Sequence, residues 1–538
     1  MKKADYLLYI LTLIPQPRSV SPLAETQGSI LKRTHYLLSI LALILFTSCA
    51  VSKNYDPGRK YPKQELQEDY SVLRNILEQK HPSLYWYTPK DSMNYYFDSL
   101  YNNIADSMTE LQFGWRVVAP LTNKIHCGHT SFGMSKNWNK FISNKRIPSF
   151  PLYIKLCGDT MVVTGNLNQK DSVIKTGTII TAINGIRSHE LIQKMFQYLP
   201  LDGYSDNVNY IRISSNFPYY HRNIFGIYKN YRVGYIDSTG MEQKVTLGMY
   251  DPSADSAHKN RPPVPEKKES RSKIREERRE SYRSLAIDTN MKTATLELNT
   301  FANGHGRHLK RFLKQSFKTL RKQEIKNLIL DIRSNGGGDV TMYAKLARYI
   351  RSTNFKVADS SYAVAKSLAP YTGYIKEGFF NNIGLFFLTK KHSDGNYHFG
   401  YWERHVYKPN GRNHFNGNVY VLTNGPTFSA STLFCNAVKG QANVTIVGEE
   451  TGGGWHGNNG IMIPDIILPK TKLRVRLPLF RLVQYQHVPK DGRGVSPDIF
   501  VPPTVEGVRQ NIDRKMEVVK AIISQSQEAT GHKPPNAK

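Results

Sequence analysis

The feature that most restricts this chain is the alternation of apolar β-runs with amphipathic helical runs that begins at Thr293. An extended run from Thr293 to Phe301 is followed by a helical pattern bearing Leu309, Phe312, Leu313, Phe317 and Leu320, and then by Asn327-Leu-Ile-Leu-Asp-Ile-Arg333. A strand that is apolar at nearly every position is buried on both faces, and strands joined through a helix pair in parallel. A second unit runs from Asn418-Val-Tyr-Val-Leu422 through a helix from about Ser429 to Val438 and into Val444-Thr-Ile-Val447. The pattern therefore predicts an α/β core over 287–505. In such sheets chemistry gathers in the loops beyond the strands' carboxyl ends, and here those loops are rich in glycine and small residues.

The rest of the chain reads differently. Residues 50–145 carry helical stripes, one of Leu66, Tyr70, Leu73, Ile76 and Leu77 and another of Phe97, Leu100, Tyr101 and Ile104. Over 146–250 the period shortens to β-runs, with a turn at Asn184-Gly185. Between 251 and 286 apolar residues nearly vanish among Lys, Arg, Glu and Pro, which predicts a solvated linker that proteases nick first. Residues 506–538 predict one last helix, through Val508, Ile512, Met516 and Val519, and a polar tail. The stretch 359–415 is aromatic-rich and has no assignable pattern. At the other end, Leu31-Lys-Arg-Thr-His35, the apolar run Tyr36–Phe46 and Thr47-Ser48-Cys49 have the order of a secretory signal. The run is shorter than the ~20 residues of a spanning helix. A cysteine after small residues resembles the lipobox of bacterial lipoproteins, so 1–49 is expected to direct export to the periplasm or cell envelope, with Cys49 lipidated and this anchor the only membrane association.

Composition excludes several classes. The net charge of +30 could suit nucleic acid, but the basic residues are spread along 538 residues with acids among them and no recognition motif accompanies them. Nucleic acid is therefore not an expected partner. Four cysteines, far apart, make neither a disulfide framework nor a zinc-ligand spacing, so no metal or other cofactor is expected.

Three places carry reactive side chains. Asn335-Gly336-Gly337-Gly338 follows the buried strand, and consecutive glycines can turn amide N–H groups toward an oxyanion or a phosphate. The phosphate reading is weak, because no P-loop lysine follows and Asp339 would repel an anion. Thr423-Asn-Gly-Pro-Thr-Phe-Ser-Ala-Ser-Thr432 crowds hydroxyls at a strand-to-helix junction, where a serine either caps the helix or meets a developing oxyanion. Ile125-His126-Cys127-Gly128-His129-Thr130 offers two imidazoles and a thiol.

Together these stretches resemble the C-terminal processing (tail-specific) proteases and their tricorn-like relatives. The specific pieces are Leu330-Asp-Ile-Arg-Ser-Asn-Gly-Gly-Gly338, Thr427-Phe-Ser-Ala-Ser431, Val447-Gly-Glu-Glu-Thr-Gly-Gly-Gly454 and Gly494-Val-Ser-Pro-Asp-Ile499. The resemblance implies a ClpP/crotonase-like core of βαβ repeats, an N-terminal helical part, and a PDZ-like module around Gly177–Gly185. It implies a serine peptidase acting on peptides or proteins, with Ser429 as nucleophile and the amides of Ala430 and of Gly336 or Gly337 facing the oxyanion. Gly454 stands where one branch has its lysine, which excludes a Ser-Lys dyad at that position. The tricorn-like branch implies His129 as base instead, with His456 and His126 as alternatives and Asp491 as the group orienting the imidazole. Activity is then expected to fall through the imidazole range near ~6.5. A different class of function stays open, a catalytically silent relative that binds peptides or apolar ligands.

Overall fold

The structure is a computed structural model that describes residues 55–143, 145–168, 171–253, 270–304, 307–485 and 488–529. The expected signal segment with Cys49, most of the charged stretch and the end of the tail lie outside the described residues. The chain divides into two compact units. Of the described residues, one holds 55–59 and 135–143 with 145, and contains the helix Lys136–Ile142, capped where Ser135 Oγ accepts the Trp138 N–H at 3.0 Å. The other, residues 60–134 and 146–538, contains everything described below.

Helix α1 (Lys63–Lys80) buries the predicted stripe of Leu66, Tyr70, Leu73, Ile76 and Leu77 completely, and α2 (Lys90–Asn102) buries Met93 and Phe97. The buried Asp69 on α1 fixes its place on the core. Its carboxylate accepts the Lys470 and Thr471 N–H groups at 2.7 and 2.8 Å and the Thr471 hydroxyl at 2.5 Å. Residues 146–250 form an antiparallel sheet in the order β1 (Leu152–Cys157), β2 (Thr160–Asn166), β3 (Ile179–Ile183), β4 (Asn230–Ile236) and β5 (Glu242–Gly248). The turn after β3 is at Asn184-Gly185, both with positive φ, and helix α3 (Ser188–Phe196) packs Leu191, Ile192 and Met195 into this module's own core. Those φ values suit Asn and Gly in a tight hairpin.

The charged stretch is not irregular throughout. Arg271–Glu280 is an exposed helix capped by Ser270, with a Lys273–Glu277 pair at 3.8 Å one turn apart. Strand β6 (Arg283–Asp288) begins inside the stretch expected to be a linker, since it pairs residue for residue with β7 (Thr293–Leu298). Alternate side chains on β7, Ala294, Leu296 and Leu298, supply the buried partners that β6 lacks by itself.

The core sheet continues through helix α4 (Leu309–Lys322), strand β8 (Asn327–Asp331) and helix α5 (Val340–Ile350). The unassigned region 359–415 folds as strand β9 (Ala358–Ala363), helix α6 (Gly378–Leu388) and short strands. It is followed by β10 (Asn418–Thr423), α7 (Ala430–Val438), β11 (Val444–Gly448), β12 (Gly457–Ile461), β13 (Phe480–Gln484) and β14 (Ile499–Phe500). The main sheet order is β6-β7-β8-β10-β11-β14, parallel after the first pair. A second, antiparallel sheet contains β9, β13 and β12 in that order. The last predicted helix is two, α8 (Val505–Gln510) and α9 (Arg514–Ala529), because Asn511 between them has φ +54°. On α9, Val519 and Ile523 cover Ile329, Leu422 and Val447 of the sheet.

Candidate active site

Parallel neighbours bring their carboxyl ends to one edge of a sheet, and β8 pairs with β10, which pairs with β11. The glycine loop after β8, the serine loop after β10 and the Glu449–Gly454 loop after β11 therefore meet. Their side chains lock them together. Asn335, fully buried, donates Nδ2–H to Leu298 O and accepts the Gly337 N–H on Oδ1, both at 2.9 Å, while its carbonyl accepts the Phe428 N–H. Thr427 Oγ1 donates to Ile332 O and accepts the Asn424 N–H. In the third loop Glu450 takes Arg493 and the Gly494 N–H, both at 2.6 Å, and Thr451 Oγ1 takes the Val495 N–H at 2.8 Å. Asp498 accepts the Ile446 N–H and pairs with Lys439. Several polar residues of the recognisable motifs are thus clamps between loops.

Ser429 stands at the N-cap of α7, yet its side chain makes no capping hydrogen bond, and its backbone lies at φ +56°, ψ −122°. A non-glycine residue held there stores strain of order 1–3 kcal/mol and persists only where its surroundings impose it. They do so from below, where a Cβ added to Gly337 (φ +95°) would lie 2.7 Å from Ser429 Cβ and 2.9 Å from Ala430 N. The hydroxyl that sequence alone could assign to capping is free of that task.

His129 arrives from the opposite end of the sequence. Strand pairing delivers it, since Phe132-Gly133 pairs with Arg474–Arg476 and Arg476 N–H donates to Ser131 O. Its imidazole is buried, with the ring centroid 4.9 Å from that of Phe428, the residue before Ser429. A Cβ placed on Gly460 would lie 3.2 Å from Ser429 Oγ and 3.6 Å from His129 Nε2, so both atoms face one point on β12. Burial holds the imidazole pKa down at about 3, helped by the positive fields of Arg476, Arg481 and Arg212. This differs from the ordinary range near ~6.5 expected from sequence, because burial was not visible there.

The other predicted residues fall elsewhere. Asp491 does not reach His129: its Oδ1 accepts Trp455 Nε1–H and the Arg493 N–H, both at 2.9 Å. His129 Nδ1 has no hydrogen-bond partner among the described residues. The His126 ring is turned to Gly203 O at 2.6 Å, and His456 Nδ1 to Val488 O at 2.7 Å with Trp86 beside it. Cys127 is buried, its thiol pKa pushed up by burial, and it accepts Asn459 Nδ2–H at 3.0 Å. The Gly337 amide is engaged by Asn335, Gly336 is exposed, and Ala430 is the first residue of α7, where no intrahelical acceptor exists for its N–H.

Two residues that the sequence reading passed over organise the site. Asp202, 2% exposed, accepts the Gly128 N–H on Oδ1 at 3.1 Å and the Gly454 N–H on Oδ2 at 3.0 Å, joining the histidine loop to the loop after β11. Gly454, which holds the lysine position, is thus bound to Asp202. Arg481 on β13 is also fully buried, with its guanidinium 4.0 Å from the Trp86 ring centroid and Nε and one terminal nitrogen without partners among the described residues. Neither lies in a motif. Among the described residues no group of three or more His, Cys, Asp or Glu is placed to hold a metal.

A strained serine at a helix N-terminus, an imidazole facing the same point and a glycine loop behind them, at the carboxyl edge of a parallel sheet, define the site of a serine-type hydrolase. Residues 292–501 match the family model of peptidase family S41. That match lies on the core, in accord with the resemblance carried by the motifs, and it supports a serine-type peptidase. Among solved structures, a serine-to-alanine mutant of CPAF aligns with a TM-score of 0.59 and 14% identity over 86% of this chain and 97% of that one. Mature CPAF complexed with lactacystin aligns at 0.57 and 13% over 88% and 99%. At such identity these likenesses show the fold. A comparison with curated proteins found none that matches.

Proposed function

We propose that the protein is an exported, lipid-anchored serine endopeptidase that cleaves peptide bonds through an acyl-enzyme. The observation that carries the proposal is the uncapped Ser429 Oγ sharing one point at Gly460 with His129 Nε2. In the first step Ser429 Oγ bonds to the peptide carbonyl carbon and its proton passes to His129 Nε2. The carbonyl oxygen becomes the oxyanion, facing the amides of Ala430 and Gly336. The C–N bond then breaks as His129 returns the proton to the leaving amine, and water repeats the sequence to release the acid. This requires the neutral imidazole with its proton on Nδ1, and the depressed pKa keeps that form populated well below neutrality. The tilted Phe428 ring packs against the imidazole and the Gly128–Asp202 bond holds its loop, tasks expected of Asp491 from the sequence. The sheet of β1 to β5 with α3 supports a PDZ-like role for 146–250 in binding substrate chains.

Ser429→Ala and His129→Ala are each expected to lower kcat by about 10⁴ or more, with the double variant little worse, because members of one catalytic unit are not additive. Hydrolysis of unstructured polypeptides measures this. Undiminished turnover in His129→Ala would assign the base elsewhere, and no turnover by the native chain would leave the silent-binder reading.

A further inference from the structure

Helix α6, GFFNNIGLFFL, is built inside out. The residues it turns to the protein are Gly378, Asn381, Gly384 and Leu385, whereas Phe379, Ile383, Phe386 and Phe387 are 67, 37, 57 and 72% exposed. Their spacing of i, i+4, i+7 and i+8 sets them in one outward stripe. At its first turn the inward residue is glycine by necessity, since a Cβ on Gly378 would lie 2.2 Å from Thr372 O. At ~150–250 Å² for a whole aromatic side chain, the exposed phenylalanine surface alone is roughly 300–500 Å², a size that marks an interaction site.

The surroundings of the stripe are cationic. α6 carries no charged residue, exposed Lys376 precedes it, exposed Lys390 and Lys391 follow it, and Lys366 Nζ lies 4.3 Å from the Phe386 ring centroid. None of these four lysines makes an ion pair among the described residues. Acids beside it include Glu377 at the N-cap, Asp394, which is already paired with His398, and Asp465, whose carbonyl accepts the Lys376 N–H and whose carboxylate pairs with Arg474. An uncharged aromatic stripe rimmed by lysines is complementary to a surface with an apolar interior and anionic headgroups. A second copy fits poorly, because a self-paired face would set the lysine rims together on chains that each carry +30.

We propose that α6 is an interfacial helix that seats the peptidase on an anionic lipid bilayer, with Phe379, Phe386 and Phe387 in the acyl boundary and Lys376, Lys390 and Lys391 at the headgroups. It lies on the bilayer, and among the described residues no helix is long and apolar enough to cross one. This association does not depend on an anchor at Cys49.

The test uses the full chain carrying Cys49→Ala, so that no acyl group contributes, sedimented with vesicles of phosphatidylcholine alone or with about one-third phosphatidylglycerol. Binding to the anionic vesicles is expected to be at least about tenfold tighter than to the neutral ones. Phe379→Ser, Phe386→Ser and Phe387→Ser together are expected to weaken it at least about tenfold, and K376E, K390E and K391E together to abolish the lipid preference. A single Phe386→Trp variant keeps the face intact, and the emission of its added indole, read as the difference from the parent chain, is expected to shift to the blue on the anionic vesicles. Absence of binding, binding unaffected by the serine substitutions, or an unshifted emission from the added indole would overturn the proposal. So would a dimer of the parent chain in light scattering that the serine substitutions dissolve, which would make the face a contact between copies.

Discussion

The electrostatics of His129 depend on residues that never touch it. Burial is the largest reason its pKa is low, Arg476 adds to it, and so does Arg481, a buried guanidinium whose Nε and one terminal nitrogen have no partner among the described residues. A positive charge nearby disfavours imidazolium, so Arg481→Met is expected to raise the pKa toward its ordinary value. The acid limb of kcat/KM should move up by about one pH unit, while Arg481→Lys should leave it near its native place. A pH–rate profile of the two variants measures this, and a limb that does not move in Arg481→Met would remove Arg481 from the account. Gly128 shows the same dependence in steric form. A Cβ there would lie 2.4 Å from Phe428 Cζ, so glycine is what lets the histidine loop pack against the serine loop.

At the scale of elements, the His129 loop is held on the core by short pairings and by α1. Asp69→Ala is expected to leave the amide and the hydroxyl of Thr471 buried without an acceptor. Each such group costs about 1–3 kcal/mol, so stability should fall by several kcal/mol, read as a shift in the urea midpoint. An unchanged midpoint would show that packing of Leu66, Leu73 and Leu77 alone sets this helix. The strands β8, β10 and β11 were legible because buried parallel strands are nearly continuous apolar runs, and the serine and glycine loops were legible because they follow those strands. Asp202, Arg481 and Asp69 were not. Their work lies in contacts across hundreds of residues, such as 202 to 454 or 69 to 471, which leave no local pattern. Asp491 was placed by its distance from a motif, and the structure gives its carboxylate to Trp455 instead. β6 was hidden because none of its residues is fully buried, the buried side chains of the pair belonging to β7.

For the whole molecule, the buried histidines link folding to pH. His81 and His129 are held down at about 3 and His221 at about 4, each chiefly by burial. In the unfolded chain they titrate near ~6.5, so below that pH the unfolded state binds protons that the folded state refuses. Stability should therefore be indifferent to these groups above about pH 7 and fall as pH drops from ~6.5 toward ~4, by about 1.4 kcal/mol per unit for each histidine. Urea midpoints across this range measure it, and a flat profile would contradict the buried neutral state of the three rings.

The measurement that tests the central claim most directly is labelling with a serine-directed phosphonate, followed by peptide mapping of the native chain and of His129→Ala. An unassisted hydroxyl is a poor nucleophile at neutral pH. The account predicts a single adduct on Ser429 in the native chain and its near-complete loss in His129→Ala. An adduct on another residue, or equal labelling of Ser429 in both chains, would contradict it.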